Sequence, residues 1–379
     1  MSSFDVVVCG LGVTGSAALR ELSRRGLRVL GIDRFTPGHD RGSSHGATRV
    51  IRLDYFEHPS YVPLLRRAYE LWHELDRSSG QTLIRITGIV EIGAPDSMLI
   101  TGVLASIKQH SLRHELLSAE DLMRRYPAFH LPSQYQAVVQ PDGGFLAAEP
   151  SIQAMLTLAK KAGAEIRSGE TIRAIEPSST GVRIVTDRAR IDAGSAVIAV
   201  GPWIKSILPE LTAPLRVTRQ VMAWFSPHES ALFRSEHFPV FLMESQHGMH
   251  YGFPLDDDGL VKVAKHHHCD ETVDPELYDR TVSIVDESLI RSALTDHLPD
   301  ANGRRIKATT CLYTVTPDGD FILDSLPGYP HIVVASPCSG HGFKFAPVIG
   351  EILADLATRC EPKHEISRFS LKRFASHRR

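Results

Sequence analysis

The residues most able to do chemistry appear at once, in the glycine triplet of Gly10-Leu-Gly12-Val-Thr-Gly15. Gly10 permits a tight turn, Gly12 lets the backbone approach a pyrophosphate, and Gly15 lets a helix pack closely on a strand. A helix starting behind such a loop offers free N–H groups and a partial positive charge to phosphates. Asp33 follows 23 residues after Gly10, where a carboxylate can accept a hydrogen bond from a ribose hydroxyl. The pattern reads as a dinucleotide site and by itself does not separate NAD from FAD.

Such a site needs a strand, a helix and a second strand. Residues 6–9 are a short apolar run, as expected of a strand covered on both faces. A helical pattern follows through Ala17, Ala18, Leu19 and Leu22, and Gly26 is suited to close it in the left-handed conformation. Residues 28–32 then predict the second strand, ending on Asp33. Residues 38–46, rich in glycine and serine, predict a loop. Amphipathic spacing of Leu64, Ala68, Leu71, Trp72 and Leu75 predicts a helix over 60–75. Shorter helices are predicted over 119–125, capped by Ser118, and over 152–162.

The apolar strand 196–200 ends on Gly201, a position expected near a cofactor crevice. Strand candidates then follow one another at 217–225, 240–243, 250–253 and 260–264, with Asp256-Asp-Asp-Gly259 as turn chemistry. A run of strands without intervening helices predicts an antiparallel sheet. Further strands at 311–314, 321–324 and 332–335 lead to a closing helix over 347–357. The expected fold class is α/β, a Rossmann-like dinucleotide domain interleaved with an α+β substrate domain built on an antiparallel sheet. Residues 1–80, 145–213 and 306–379 are assigned to the first domain, and 81–144 and 214–305 to the second.

Composition narrows the class. The 379 residues are 42% hydrophobic and 23% charged, which excludes a collagen-like or wholly disordered chain. Against 44 acidic residues stand 42 Lys and Arg, a net charge of −2 that invites neither nucleic acid nor an acidic membrane. Five scattered cysteines, Cys9, Cys269, Cys311, Cys338 and Cys360, are no disulfide framework and fit a reducing compartment. There is neither a basic stretch before the first apolar run nor an apolar window near ~20 residues, so a cytoplasmic protein is expected. The basic end, with Arg368, Lys372, Arg373, Arg378 and Arg379, reads as a solvated tail.

Five segments in order carry a resemblance over nearly the whole chain. They are Gly42-Ser-Ser-His45-Gly-Ala-Thr48-Arg49-Val-Ile-Arg52, Tyr251-Gly-Phe-Pro254, Lys262-Val-Ala-Lys-His266, Cys311-Leu-Tyr313-Thr314 and Ser339-Gly-His341-Gly-Phe-Lys344-Phe. Together they resemble the family of monomeric sarcosine oxidase and N-methyltryptophan oxidase, within the D-amino-acid-oxidase-like flavoproteins. The resemblance implies FAD, attached through the sulfur of Cys311 to the 8α position of the flavin ring. It implies oxidation of a secondary amino acid to an imine, with O2 reduced to hydrogen peroxide, by a monomer.

It also assigns roles. Arg52 and Lys344 would bind the substrate carboxylate, with Tyr313 and His341 lining the pocket. Lys262 would stabilise charge forming on O2, and Arg49 would favour anionic reduced flavin. Tyr251 and His266 would orient or deprotonate the amine. The cofactor would be held by Gly10, Gly12, Gly15, Asp33, Arg34, Ser43, His45, Thr48, Gly201, Cys311, Gly340, Gly342, Phe343 and Lys344. The chain departs from the family pattern at Ser44, Ala47 and Pro337-Cys338, which points to a larger N-alkyl or cyclic amino acid than sarcosine.

Without that resemblance, Arg49 and Arg52 would share the solvated face of a helical turn, and Lys262 would sit on a half-exposed strand face. In His266-His267-His268-Cys269, extended neighbours would alternate faces, and no metal-ligand spacing accompanies them. Two other functions stay open: an FAD-linked dehydrogenase passing electrons to another acceptor, and a non-catalytic dinucleotide-binding protein.

Overall fold

A computed structural model describes residues 4–209, 211 and 214–377. Its central sheet has five parallel strands in the spatial order Glu165–Ser168, Val29–Asp33, Phe4–Cys9, Arg190–Ile198 and Tyr329–Ser336. Arg190–Ile198 is long enough to serve two partners on one side. Its first half pairs antiparallel with Val182–Thr186 and its second half parallel with Tyr329–Ser336.

Burial on both faces explains the unbroken apolar run at the N-terminus. Val6 and Val8 pack with the helices Val13–Arg24, Val62–Ser79, Ala148–Lys161 and Ala346–Ala357, while Val7 and Cys9 face the opposite layer with Ile204, Leu208 and Phe374. Gly26 is left-handed at φ +79°, and Ser118 caps the helix Ala119–Arg125 through the N–H of Asp121.

The second large sheet runs in the order Arg305–Val315, Arg216–Phe225, Val261–Lys265, Gly248–Gly252, Val240–Ser245, Ile89–Gly93, Gln136–Gln140 and Glu115–Ser118. It is mixed rather than purely antiparallel, because Val240–Ser245 pairs parallel with Ile89–Gly93. The strand run ends at Lys265 and is followed by the helix Ile284–His297, whose Ile290, Ala293 and Leu294 cover one face. A smaller sheet joins Thr48–Ile51, Gly144–Ala147 and Ile84–Ile86.

Alternation along the second sheet decides what faces inward. Val221, Ala223, Phe225, Val261 and Val263 belong to the helix-covered face. Met222, Trp224, Ala264, Cys311, Tyr313 and Val315 cluster on the other, and Lys262 shares that face by period two. Lys262 is therefore not on a half-exposed strand; it is 2% exposed. Arg49 lies in the strand Thr48–Ile51 and Arg52 just beyond it, so they share no helical turn, and Arg52 is buried.

The C-terminal segment is not a solvated tail through its described part. Phe369, Leu371 and Phe374 are buried, and Arg368 and Arg373 pair with Asp320 and Asp318 at 2.8 and 2.7 Å. Apolar residues interleaved with the arginines draw the segment onto the sheet. Arg378 and Arg379 lie outside the described residues. No helix among the described residues is long and apolar enough to cross a membrane.

Candidate active site

One cavity of about 550 Å³ runs between the glycine loop and the inner face of the second sheet. That volume suits a cofactor or small-molecule site. At the loop end, Gly10 has φ +89°, and a Cβ there would lie 2.6 Å from the carbonyl oxygen of Ala199. Gly15 does not line the cavity; a Cβ on it would lie 1.8 Å from the carbonyl oxygen of Gly10. Its role is the close helix–strand contact expected of it.

Asp33 reaches the cavity with both oxygens already engaged. Oδ2 accepts from the N–H of Leu11 at 2.7 Å and Oδ1 from that of Phe35 at 2.8 Å. Burial raises its carboxyl above the ordinary value against these two donors. It therefore braces the glycine loop, and the second lone pairs of its oxygens remain for a hydroxyl. Arg34 stands at the rim, ion-paired with Glu276. Gly201, with φ +56°, lines the cavity beyond the strand Arg190–Ile198.

Toward the other end, the cavity is walled by Arg49, Arg52, Tyr251, His266, Cys311, Tyr313, Gly340, His341, Gly342, Phe343 and Lys344. A Cβ on Gly340 would meet the Tyr313 ring at 2.6 Å and the His266 ring at 2.7 Å, so glycine there admits the two rings. Tyr313 Oη and His266 Nδ1 are 3.4 Å apart. Burial drives His266 well below its usual pKa, with His267 adding to the effect, and leaves it a neutral imidazole. Burial likewise pushes Tyr251 up to about 12, so it stays a phenol.

Two cations converge here. Arg52 Nη2 donates to Glu57 Oε2 at 2.9 Å and Nη1 to the Asp54 carbonyl at 3.1 Å, and its guanidinium lies 4.5 Å over the Tyr55 ring. Burial would raise Glu57, but Arg52 prevails and holds it down to about 2. Lys344 Nζ donates to the carbonyl of His341 at 2.8 Å. Burial first, then Arg52, lowers Lys344 to about 7. A carboxylate entering beside them would neutralise two buried cations that share one ionised partner, Glu57.

His341 is locked rather than free. Its Nε2–H donates to the Gly319 carbonyl at 2.9 Å, leaving Nδ1 to accept from Tyr55 Oη at 2.6 Å. Burial lowers it to about 4. Arg49 donates to the carbonyls of Thr48, Ser43 and His45, and its guanidinium lies 5.7 Å over the Phe343 ring. Ser43 lines the cavity itself.

Besides Gly15, three expected site residues stand behind the wall rather than on it: Lys262, Thr48 and His45. Lys262 Nζ donates to the carbonyls of Gly46 and Thr48 at 2.6 and 2.9 Å and to Thr48 Oγ1 at 3.3 Å. It also lies 4.8 Å over the Phe253 ring. Burial, then Arg49, lowers its pKa well below the ordinary lysine value. His45 is buried with Nε2 unpartnered, and burial with Arg49 brings it down to about 4.

Several lining residues escaped the sequence reading. Phe35, His39 and Trp203 cluster near the glycine loop, with the Phe35 ring 4.8 Å from His39 and 5.7 Å from Trp203. Leu242 and Met249 come from the second sheet, Phe56 and Glu57 from the loop after Arg52. Glu57, five residues past Arg52, carried a charge-pair signal; the apolar ones carried none. Cys338 also lines the cavity, so Cys311 is not alone among the thiols there.

The histidine run is a turn, not an extended strand, with His267 at φ +56°. His266 meets the cavity, whereas His268 Nε2 lies 2.9 Å from Asp286 Oδ1. With Cys269 these two bring possible ligand atoms within 4.8 Å of one another. Asp286 is already the bidentate partner of Arg219 at 2.8 and 3.0 Å.

The cavity has features that a dinucleotide would satisfy: the glycine cradle, a helix start whose N-cap residue Gly12 offers no side-chain cap, and unpartnered polar atoms on Trp203 and Ser336. These features and the fold define a dinucleotide-dependent oxidoreductase. The chain belongs to the FAD-dependent oxidoreductase family, whose pattern matches residues 5–356. It is 40% identical to a monomeric sarcosine oxidase of Streptomyces avermitilis over 99% of this chain and 98% of that one. It is 36% identical to an N-methyl-L-tryptophan oxidase of Salmonella agona over 98% of this chain and 99% of the relative. The structure of NikD, an unusual amino acid oxidase essential for nikkomycin biosynthesis, superposes with TM-score 0.85 at 29% identity, covering 98% of both chains.

Proposed function

We propose that this protein oxidises a secondary amino acid, N-methyl or cyclic, to an imine and passes the electrons to O2. One observation carries the reading: Arg52 and Lys344, two buried cations sharing one ionised partner, converge on the same cavity as the dinucleotide cradle. Bound FAD supplies the two-electron oxidation. The chain's own residues do the rest.

Arg52 and Lys344 take the substrate carboxylate, which fixes the carbon next to nitrogen against the cofactor end. His266, kept neutral by burial, can accept a hydrogen bond from the substrate's N–H, and Tyr251, kept a phenol, can orient the amine. Leu242, Met249 and Phe56 supply an apolar wall for the N-substituent and side chain. That wall favours a substrate larger than sarcosine. Cys311, on the cavity wall and opposite Gln220 in the sheet, is the attachment point for the flavin. Lys262 supports the O2 step from behind the loop that its amine holds.

The relatives named sarcosine oxidase and N-methyl-L-tryptophan oxidase support this substrate class, and the word monomeric in the first name supports a monomer. The test is an anaerobic screen of secondary amino acids against the yellow protein, read as bleaching of the flavin. Bleaching by N-methyl or cyclic amino acids is expected, followed by stoichiometric peroxide when air is admitted. A protein bleached only by primary amines would refute the substrate class, and bleaching without peroxide would refute O2 as acceptor.

A further inference from the structure

We propose that His247, Asp296 and His297 form a binding site for one zinc-class divalent cation, outside the active cavity. His247 sits in the two-residue turn between the strands Val240–Ser245 and Gly248–Gly252. Asp296 and His297 end the helix Ile284–His297. Their possible ligand atoms all lie within 4.8 Å of one another, and His247 Nε2 is 2.7 Å from Asp296 Oδ2. Donors around a tetrahedral zinc, with bonds of about 2.0–2.1 Å, stand about 3.3 Å apart. A modest adjustment of a hairpin tip therefore closes the set on a metal.

The observation that carries the proposal is the state of His297. The residue is 2% exposed, and its Nδ1 lies 3.0 Å from the carbonyl oxygen of His130. That carbonyl can only accept, so Nδ1 carries a proton, and in the neutral ring Nε2 keeps its lone pair. Nε2 is buried and has no hydrogen-bond partner. An imidazole whose far nitrogen is tied to a carbonyl, with the near one unprotonated and unpaired, is the arrangement metal-ligating histidines adopt. A buried acceptor left unpaired is destabilising and needs a reason.

The surroundings agree. The helix C-terminus presents a partial negative charge to a cation. The Asp296 carboxylate, 2.7 Å from His247 Nε2, adds a negative ligand. Gln246, Asp296 and His297 line an open surface cavity that gives an ion and its waters access. The other histidine–carboxylate cluster, at Asp286, differs in that its carboxylate is already neutralised by Arg219. Two imidazoles and one carboxylate favour zinc over calcium or magnesium.

Occupancy would tie the hairpin tip to the helix. The same strand already holds the helix through His250 Nε2–H, which donates to the Leu289 carbonyl at 3.0 Å, and it carries Met249 and Tyr251 to the active cavity. The site is thus a clamp on one wall of that cavity.

The test is equilibrium dialysis of the flavin-loaded protein against zinc at low concentration, with metal content and thermal midpoint read together. Wild type and a surface control, His73→Gln, should each retain one zinc more per chain than His247→Gln or His297→Gln. Their midpoints should rise with zinc, while those of the two variants stay put. Equal zinc content in either variant and wild type, or no zinc retained by wild type, overturns the proposal. His247 is at a hairpin tip, so its variant keeps the test valid even if His297→Gln folds poorly.

Discussion

Replacing Lys344 by Met removes one of the two cations assigned to the substrate carboxylate while keeping an unbranched chain of similar length. A hydrogen bond from a charged donor in such a setting is worth about 1.5–3 kcal/mol, or about 10–150-fold in a dissociation constant. The assay is titration of the flavin spectrum with an acetate-type carboxylate lacking an amine, so that the amine's own ionisation does not intrude. The pH profile is the sharper readout. Lys344 titrates near 7 in the ligand-free cavity because burial and Arg52 lower it. The protonated form binds the carboxylate, so wild-type affinity should weaken up to tenfold per pH unit above about 7. In Lys344→Met the weaker affinity should lose that slope. Stability gives an independent sign check. A lysine whose pKa falls on folding penalises the native state fully below its folded value, and the penalty fades as pH rises from about 7 toward its unfolded value of 10.5. Ligand-free Lys344→Met should therefore be more stable than wild type at neutral pH, and the difference should shrink in alkali. Unchanged inhibitor affinity together with an unchanged pH slope would refute the assignment of Lys344 to the carboxylate.

Cys311→Ser should release its flavin on acid precipitation while Cys338→Ser retains it; the reverse result would move the attachment to Cys338. Lys262→Met should slow reoxidation by O2 far more than reduction by substrate in stopped-flow half-reactions, and equal losses would remove Lys262 from the O2 step. Gly15→Ala places a Cβ where the Gly10 carbonyl stands, 1.8 Å away; it should cost at least about 1–3 kcal/mol and yield protein depleted in flavin, checked by denaturant unfolding and the absorbance ratio. Asp54 and Glu91 are fully buried with no hydrogen-bond partner on either carboxyl, and burial, then the Asp54 charge, raises Glu91 well above 4.5. The unfolded chain ionises Glu91 above that value and the folded one does not, so wild type loses stability as pH rises. Glu91→Gln should therefore gain stability at neutral pH, with the gain vanishing in acid below about 4.5.

Much of the fold was legible because local physics and tertiary packing agree along those stretches. The run at Val6–Val8 could only be a strand buried on both faces, and the 3.6-residue spacing from Leu64 to Leu75 could only pay its way as a helix against a core. The helix Ile284–His297 went unseen because only Ile290, Ala293 and Leu294 of its apolar residues turn inward, while Ile284 and Val285 are exposed. The strand Ile89–Gly93 went unseen too: Glu91, buried in its centre beside Asp54, breaks the apolar pattern that would have announced it.

The sequence by itself determined the dinucleotide cradle, because Gly10, Gly12, Gly15 and Asp33 act through backbone geometry within one β–α–β unit, and that geometry is local. Its ordered motifs also determined the family, since order and spacing survive without coordinates. Only the tertiary structure decided which of those motif residues touch the cavity. Arg52 and Lys344, 292 positions apart, meet there with Glu57 as ionised partner, whereas Lys262 stands behind the Gly46–Thr48 backbone that its amine binds. Burial and partnership at a site are set by chain segments that converge from distant positions. Those contacts fix the charge on each buried group, and no periodicity along the chain encodes them.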